Sequence, residues 1–180
     1  MKKIILSIAA VFAFGFANAQ DVKYGAKAGL NISNISTDGA SSLLAFHLGG
    51  FAELKLNDKF AVQPELLYSA QGAKVGGVDF NLNYINIPVM AKYYVADAIS
   101  IEVGPQIGFL MSAKADGVDV KEFFSSTDFG LNLGGGYNLN EKMSLGLRYN
   151  MGLSDVEKDL PSGAKGSKNS CVQISFGYKF

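Results

Sequence analysis

The sequence predicts an all-β chain, folded as an eight-stranded antiparallel up-and-down transmembrane β-barrel. Three observations predict it. Side chains alternate with period two in eight segments, the connections between those segments alternate long and short, and aromatic residues gather near the ends of the apolar face. Only a strand has period two. An even strand number, with short turns at one end and long loops at the other, suits a closed bacterial barrel. A soluble β-sandwich would alternate as well, but it has no reason to sort its connections by length.

Composition narrows the classes further. Hydrophobic residues make up 48% of the 180 positions and charged ones 18%, which excludes a disordered chain. Sixteen basic groups balance 16 acidic ones, so nothing electrostatic points to nucleic acid as a partner. A single Cys rules out a disulfide framework, and with a single His it rules out a zinc site of ordinary composition.

The chain opens on a secretory signal over residues 1–19. Lys2 and Lys3 form the charged start, Ile4 to Phe16 the apolar stretch, and Ala17-Asn18-Ala19 the small-residue cleavage site. The apolar stretch is short for a membrane helix, and polar sequence follows it at once. No Cys follows the cut, so a lipid-anchored lipoprotein is not expected. The mature domain spans 20–180, and loss of Lys2 and Lys3 leaves it slightly negative. It contains no apolar run longer than four residues, so no helix in it can cross a bilayer.

The eight strands are expected over 23–33, 45–56, 60–73, 82–95, 99–112, 127–139, 143–153 and 169–180. The fifth is the clearest. Ile99, Ile101, Val103, Pro105, Ile107, Phe109 and Met111 alternate with Ser100, Glu102, Gly104, Gln106, Gly108 and Leu110. Residues 34–44, 74–81, 113–126 and 154–168 read as four long external loops, rich in Gly, Ser, Asp and Lys. Asn57-Asp58-Lys59, Ala96-Asp97-Ala98 and Asn140-Glu141-Lys142 read as tight turns.

The polar face carries charges in mid-strand: Lys27, Glu53, Lys55, Glu65, Lys92, Glu102 and Arg148. Eight strands leave an interior just wide enough for side chains, so these residues should point inward and pair by sign. Glycine is abundant on the same face, as a crowded interior needs. On the apolar face, Tyr24, Phe60, Tyr93, Tyr137, Phe176, Tyr178 and Phe180 lie low if both termini are periplasmic. Phe46, Phe109 and Phe129 lie high, with Tyr68 and Tyr149 nearer that end. Two bands of rings are the interfacial girdles of a membrane barrel. Pro64, Pro88 and Pro105 fall inside three consecutive strands, where a closed barrel has no edge to tolerate a missing N–H. Bulges are expected there.

The chain resembles the small outer-membrane β-barrel proteins of Bacteroidetes, grouped as porin-family or outer-membrane-protein β-barrel domains. The carriers are Gly25-Ala26-Lys27-Ala28-Gly29-Leu30-Asn31, Pro64-Glu65-Leu66-Leu67-Tyr68 and the block from Tyr84 to Tyr94. Gly104-Pro105-Gln106-Ile107-Gly108, Phe129-Gly130 to Gly136-Tyr137, Arg148-Tyr149 to Gly152-Leu153 and the terminal Phe180 complete them. The Tyr84–Tyr94 block is the most specific, and the cut before Gln20 looks like that phylum's habit. The resemblance covers essentially the whole mature chain. It implies an eight-stranded barrel in the outer membrane, includes the strand prolines in its pattern, and supplies no catalytic residues.

Little other chemistry is written in the residues. His47, the one histidine, has inward parity, and no outward-facing Ser in the strands could partner it, so it reads as a structural interior residue. Cys171 reads as a small buried side chain. Gly134-Gly135-Gly136 lacks the Lys-Ser/Thr of a phosphate loop. Asp155, Glu157 and Asp159 lack the glycine and terminal glutamate of a calcium loop. The constellation that stands out is Lys27, Glu53, Glu65, Lys92, Glu102 and Arg148, either an interior zipped shut by ion pairs or a switchable ion gate. Phe176, Tyr178 and Phe180 resemble the aromatic-ended final strand read by the barrel-assembly machinery. No cofactor, metal or enzymatic activity is expected. The expected partners are outer-membrane lipids, that assembly machinery and an extracellular ligand of the loops. The function that follows is a structural or interaction platform, with a narrow gated pore as the alternative.

Overall fold

The structure, a computed structural model, describes residues 21–158 and 166–180. The expected signal segment 1–19 and Asp159 lie outside the described residues. The strands are β1 (Asp21–Ile35), β2 (Ala40–Lys55), β3 (Phe60–Val75), β4 (Val78–Ala96), β5 (Ile99–Ala115), the two-residue β6 (Val118–Asp119), β7 (Thr127–Asn138), β8 (Met143–Asp155) and β9 (Lys168–Lys179), with a 3-10 turn at Lys121–Phe123. Each long strand pairs antiparallel with the next, and β9 returns to pair with β1, so eight strands close into a barrel. The short β6 only extends the β5 end.

Parity holds around the wall. Along β5, exposed and buried residues alternate from Ile99 to Phe109 except at half-buried Ile107. The exposed large apolar side chains outnumber the buried ones, and they include Leu30, Leu48, Leu66, Ile101, Val103, Leu133, Leu147 and Ile174. In water such a surface would aggregate; against acyl chains it is the lipid belt of a barrel. The rings sit at its margins. Phe60 meets Tyr93 in a tilted pair at 4.9 Å and Tyr178 meets Phe180 edge-on at 6.0 Å at the end carrying the tight turns, and Phe46 meets Tyr68 at 6.0 Å toward the other end.

Two of the four expected long loops are strand instead. Residues 34–44 shrink to the connection 36–39, and 74–81 shrinks to Gly76-Gly77. Both of these glycines have positive φ, 59° and 87°, the pattern of a two-residue type I′ hairpin turn. Asp116-Gly117, at 44° and 88°, repeats that turn between β5 and β6. The hairpins therefore continue past the apolar belt, and Lys74 pairs with Asp79 at 3.1 Å across one of them.

The prolines do not sit at bulges. β3 and β4 pair down to Pro64↔Val89 and resume in the same register at Leu67↔Asn86. β4 and β5 pair down to Pro88↔Gln106 and resume at Ala91↔Val103. Rungs are skipped, but no residue is inserted. Pro64 and Pro105 face outward and Pro88 inward, all at one level of the wall. The irregularities lie elsewhere, between Ser42 and His47, Asn83 and Tyr84, Tyr94 and Ala96, and Met151 and Asp155.

The interior is layered. At the turn end the mouth is open and polar. Next comes a layer of ionised side chains, then a layer of amides and hydroxyls that includes Asn31, Ser69, Gln71, Asn132, Asn150 and Gln173. At the loop end Ile35, Ala73, Leu82, Tyr84, Leu110, Ala113 and Val156 form an apolar plug, backed by Ala40, Val75, Val120 and Phe124.

Candidate functional site

The six charged residues singled out in the sequence do meet, and they meet as one chain of ion pairs. Lys27 Nζ donates to Glu65 at 2.6 Å. Arg148 grips the same carboxylate with both ends of its fork, at 3.0 and 2.9 Å, and reaches Glu102 at 3.2 Å. Glu102 lies 3.3 Å from Lys92 Nζ, and Lys92 donates to Glu53 at 2.9 Å. Lys179, which the sequence reading did not include, closes the chain on the other oxygen of Glu53 at 2.9 Å. Its inward parity on β9 was the signal for it. Gln63 bridges two links, donating to Glu65 at 2.7 Å and accepting from Lys92 at 3.1 Å. Lys55 stays out of the network, contrary to its grouping with these charges. It stands half-buried near the turn end, over the ring of Tyr94 at 5.6 Å.

Every barrel strand except β7 contributes a charge to this layer, and β7 contributes space. A Cβ on Gly136 would lie 2.7 Å from both Glu102 Oε1 and Ser100 Oγ, so the glycine run at 134–136 makes room for the carboxylate of Glu102. The side chains of Glu53 and Glu65 are fully enclosed. Buried charges held this way are far more costly to leave single than to pair. The Glu65–Arg148 link also ties β3 to β8, which are not neighbours in the wall.

His47 is buried as expected, but it has a partner that sequence reasoning missed. Its Nδ1 meets Asn31 Oδ1 at 2.8 Å and its Nε2 meets Ser175 Oγ at 3.0 Å. Asn–His–Ser is the hydrogen-bond order of a nucleophilic triad. Chemistry needs a reachable serine, however, and Ser175 is buried beside a cavity of about 20 Å³, space for a water and not for an acyl ester. Gly29 explains how the three converge. It pairs with His47 on one side and Ser175 on the other, and a Cβ there would strike the imidazole and the Ile174 carbonyl.

The remaining candidates are placed as follows. Cys171 is a buried free thiol. Asp155 sits opposite Lys168 in the β8–β9 ladder, and the Glu157 carboxylate accepts from the Ser167 N–H at 2.8 Å, so it serves the backbone. Among the described residues no three His, Cys, Asp or Glu side chains converge on a metal position. Phe176, Tyr178 and Phe180 face outward at the turn end, and the Phe180 N–H donates to the Tyr24 carbonyl at 2.9 Å, sealing the β1–β9 closure.

A family model described as outer membrane protein beta-barrel domain matches residues 4–180. Among solved structures, Neisserial surface protein A (NspA) superposes with a TM-score of 0.64 at 17% identity, over 89% of this chain and 100% of that one. Ail, the attachment invasion locus protein of Yersinia pestis, gives 0.56 at 14% identity, again over 89% and 100%. Ail in complex with the heparin analogue sucrose octasulfate gives 0.54 at 17%, with the same coverage. These likenesses concern the fold. No curated protein matches the sequence.

Proposed function

The chain belongs to the family of outer membrane protein beta-barrel domains, and from that premise we propose that it is a closed outer-membrane platform, meeting partners through its loop end rather than passing solutes. One observation carries this reading: the interior is obstructed twice, by the ion-pair chain and by the apolar plug above it. An eight-stranded interior has no spare width around such obstacles. In this reading both termini and the tight turns face the periplasm, residues 1–19 are the export signal, and Phe176, Tyr178 and Phe180 are read by the assembly machinery. The Tyr84–Tyr94 block supports a Bacteroidetes source.

The loop end offers exposed Leu44, Val118 and Phe123 beside mixed charge, with Lys74 already paired to Asp79. That mixture favours a protein or glycolipid surface over a polyanion of the kind Ail's complex holds. Planar-bilayer recording of refolded protein tests the proposal. No conductance steps are expected from the wild type; reproducible steps that change in Glu102→Ala or Arg148→Ala would establish the gated pore instead. Incubation with labelled phospholipid or lipopolysaccharide is expected to show no turnover, in line with the enclosure of Ser175.

A further inference from the structure

We propose that the turn-end mouth of the barrel is a binding site for a zwitterionic small molecule, an amino acid or short peptide bearing both a free carboxylate and an amine. The mouth is a cavity of about 440 Å³. Pockets of a few hundred Å³ are the size that small ligands occupy.

Its inner wall carries a hydroxyl without a partner. Tyr94 is buried, 6% exposed, lines the cavity, and its hydroxyl has no hydrogen-bond partner. A buried hydroxyl left unpaired is costly, so an oxygen from outside the protein is wanted there. Lys55 and Lys92 stand over the Tyr94 ring at 5.6 and 5.7 Å. Lys92 is engaged with Glu53 and Glu102, whereas Lys55 has no carboxylate partner among the described residues. Glu53 is the acceptor on the same wall, and its two oxygens are engaged by the ammoniums of Lys92 and Lys179. The wall therefore presents a phenol O–H and an unpaired ammonium, two donors for the two oxygens of a carboxylate.

The rim supplies the opposite sign. Asp97 and Glu141, from two of the tight turns, line the same cavity and form no ion pair among the described residues. They suit an amine, while Lys23, Lys55 and Lys179 on the same lining carry the positive charge. The ion-pair chain closes the cavity at its inner end, so the site holds its ligand and does not pass it on. This inference is independent of what the loop end binds.

Titration of the refolded full chain in nonionic detergent, followed by calorimetry and backbone NMR, tests it with three probes: Ala-Ala, its C-terminal amide and its N-acetyl derivative. Ala-Ala should bind and shift amides of the turn end. Amidation should weaken binding about tenfold or more, the loss of one charge-assisted contact pair, and acetylation should weaken it less. Tyr94→Phe and Lys55→Gln should each weaken Ala-Ala about five- to tenfold while leaving thermal unfolding in place. The assignment is overturned if the amide binds as well as Ala-Ala, if shifts appear only at the loop end, or if inorganic phosphate competes as tightly.

Discussion

Glu65 is the residue on which the interior most depends, and its replacement by Gln gives the sharpest test of the ion-pair layer. Its carboxylate accepts from Lys27 at 2.6 Å, from Gln63 at 2.7 Å and from both ends of the Arg148 fork at 2.9 and 3.0 Å. The layer holds three acids against four bases once Lys179 is counted. Glu65→Gln strips Lys27 of its carboxylate, leaves Arg148 with Glu102 alone, and widens the positive excess. Removing one partner of a buried pair costs about 3–5 kcal/mol, and that is the expectation here. Arg148→Met removes three hydrogen bonds against four, leaves every acid with a lysine and equalises the charges, so it should cost less, about 1–3 kcal/mol. The double variant should fall short of the sum of the singles by more than about 1 kcal/mol, as coupled neighbours do. The chain has no Trp, so guanidinium unfolding in phospholipid vesicles is best followed by far-UV circular dichroism. An Arg148→Met cost equal to or above that of Glu65→Gln would refute the charge-count reasoning.

The remaining predictions probe wall, packing and access. Val103, exposed on the outward face in mid-strand, should not tolerate charge: Val103→Arg is expected to lose about 2–4 kcal/mol in the same vesicle titration, against under about 0.5 kcal/mol for Val118→Arg at the loop end. Gly29→Ala drives a methyl into the His47 ring and should cost about 1–3 kcal/mol, with the downfield His47 ring resonance shifted or lost in NMR. Cys171, 1% exposed, should resist maleimide until guanidinium unfolds the barrel, and rapid labelling in vesicles would mean that β9 is not seated as described. A fluorophosphonate probe should leave Ser175 unmodified under conditions that label an open serine hydrolase.

The barrel was readable because one physical rule governs the wall: a strand between lipid and a filled interior must alternate, and this one alternates in all eight segments. The charged layer was readable for the same reason, since parity alone places Lys27, Glu65 and Arg148 inside. Parity does not give register. That His47 should find Ser175, 128 positions away, depends on Gly29 pairing with both, and that requires knowing how β9 closes on β1. The strands around 34–44 and 74–81 looked like loops because beyond the lipid their outward residues become polar and the apolar alternation fades. The hairpin signal Gly76-Gly77 was present, but it was masked by the polar residues around it. Lys55 was misplaced by its position at a strand end, where the interior gives way to solvent.

The three prolines leave β4 fastened to its neighbours at top and bottom, with rungs skipped on both flanks at its waist. Sheet stiffness comes from those rungs, so compliance is concentrated in one strip of the circumference. When the surrounding bilayer thins or crowds the barrel, the cross-section should become oval along that strip, restrained from inside by Glu65, which lies in one of the gaps and is tied across the interior to Arg148.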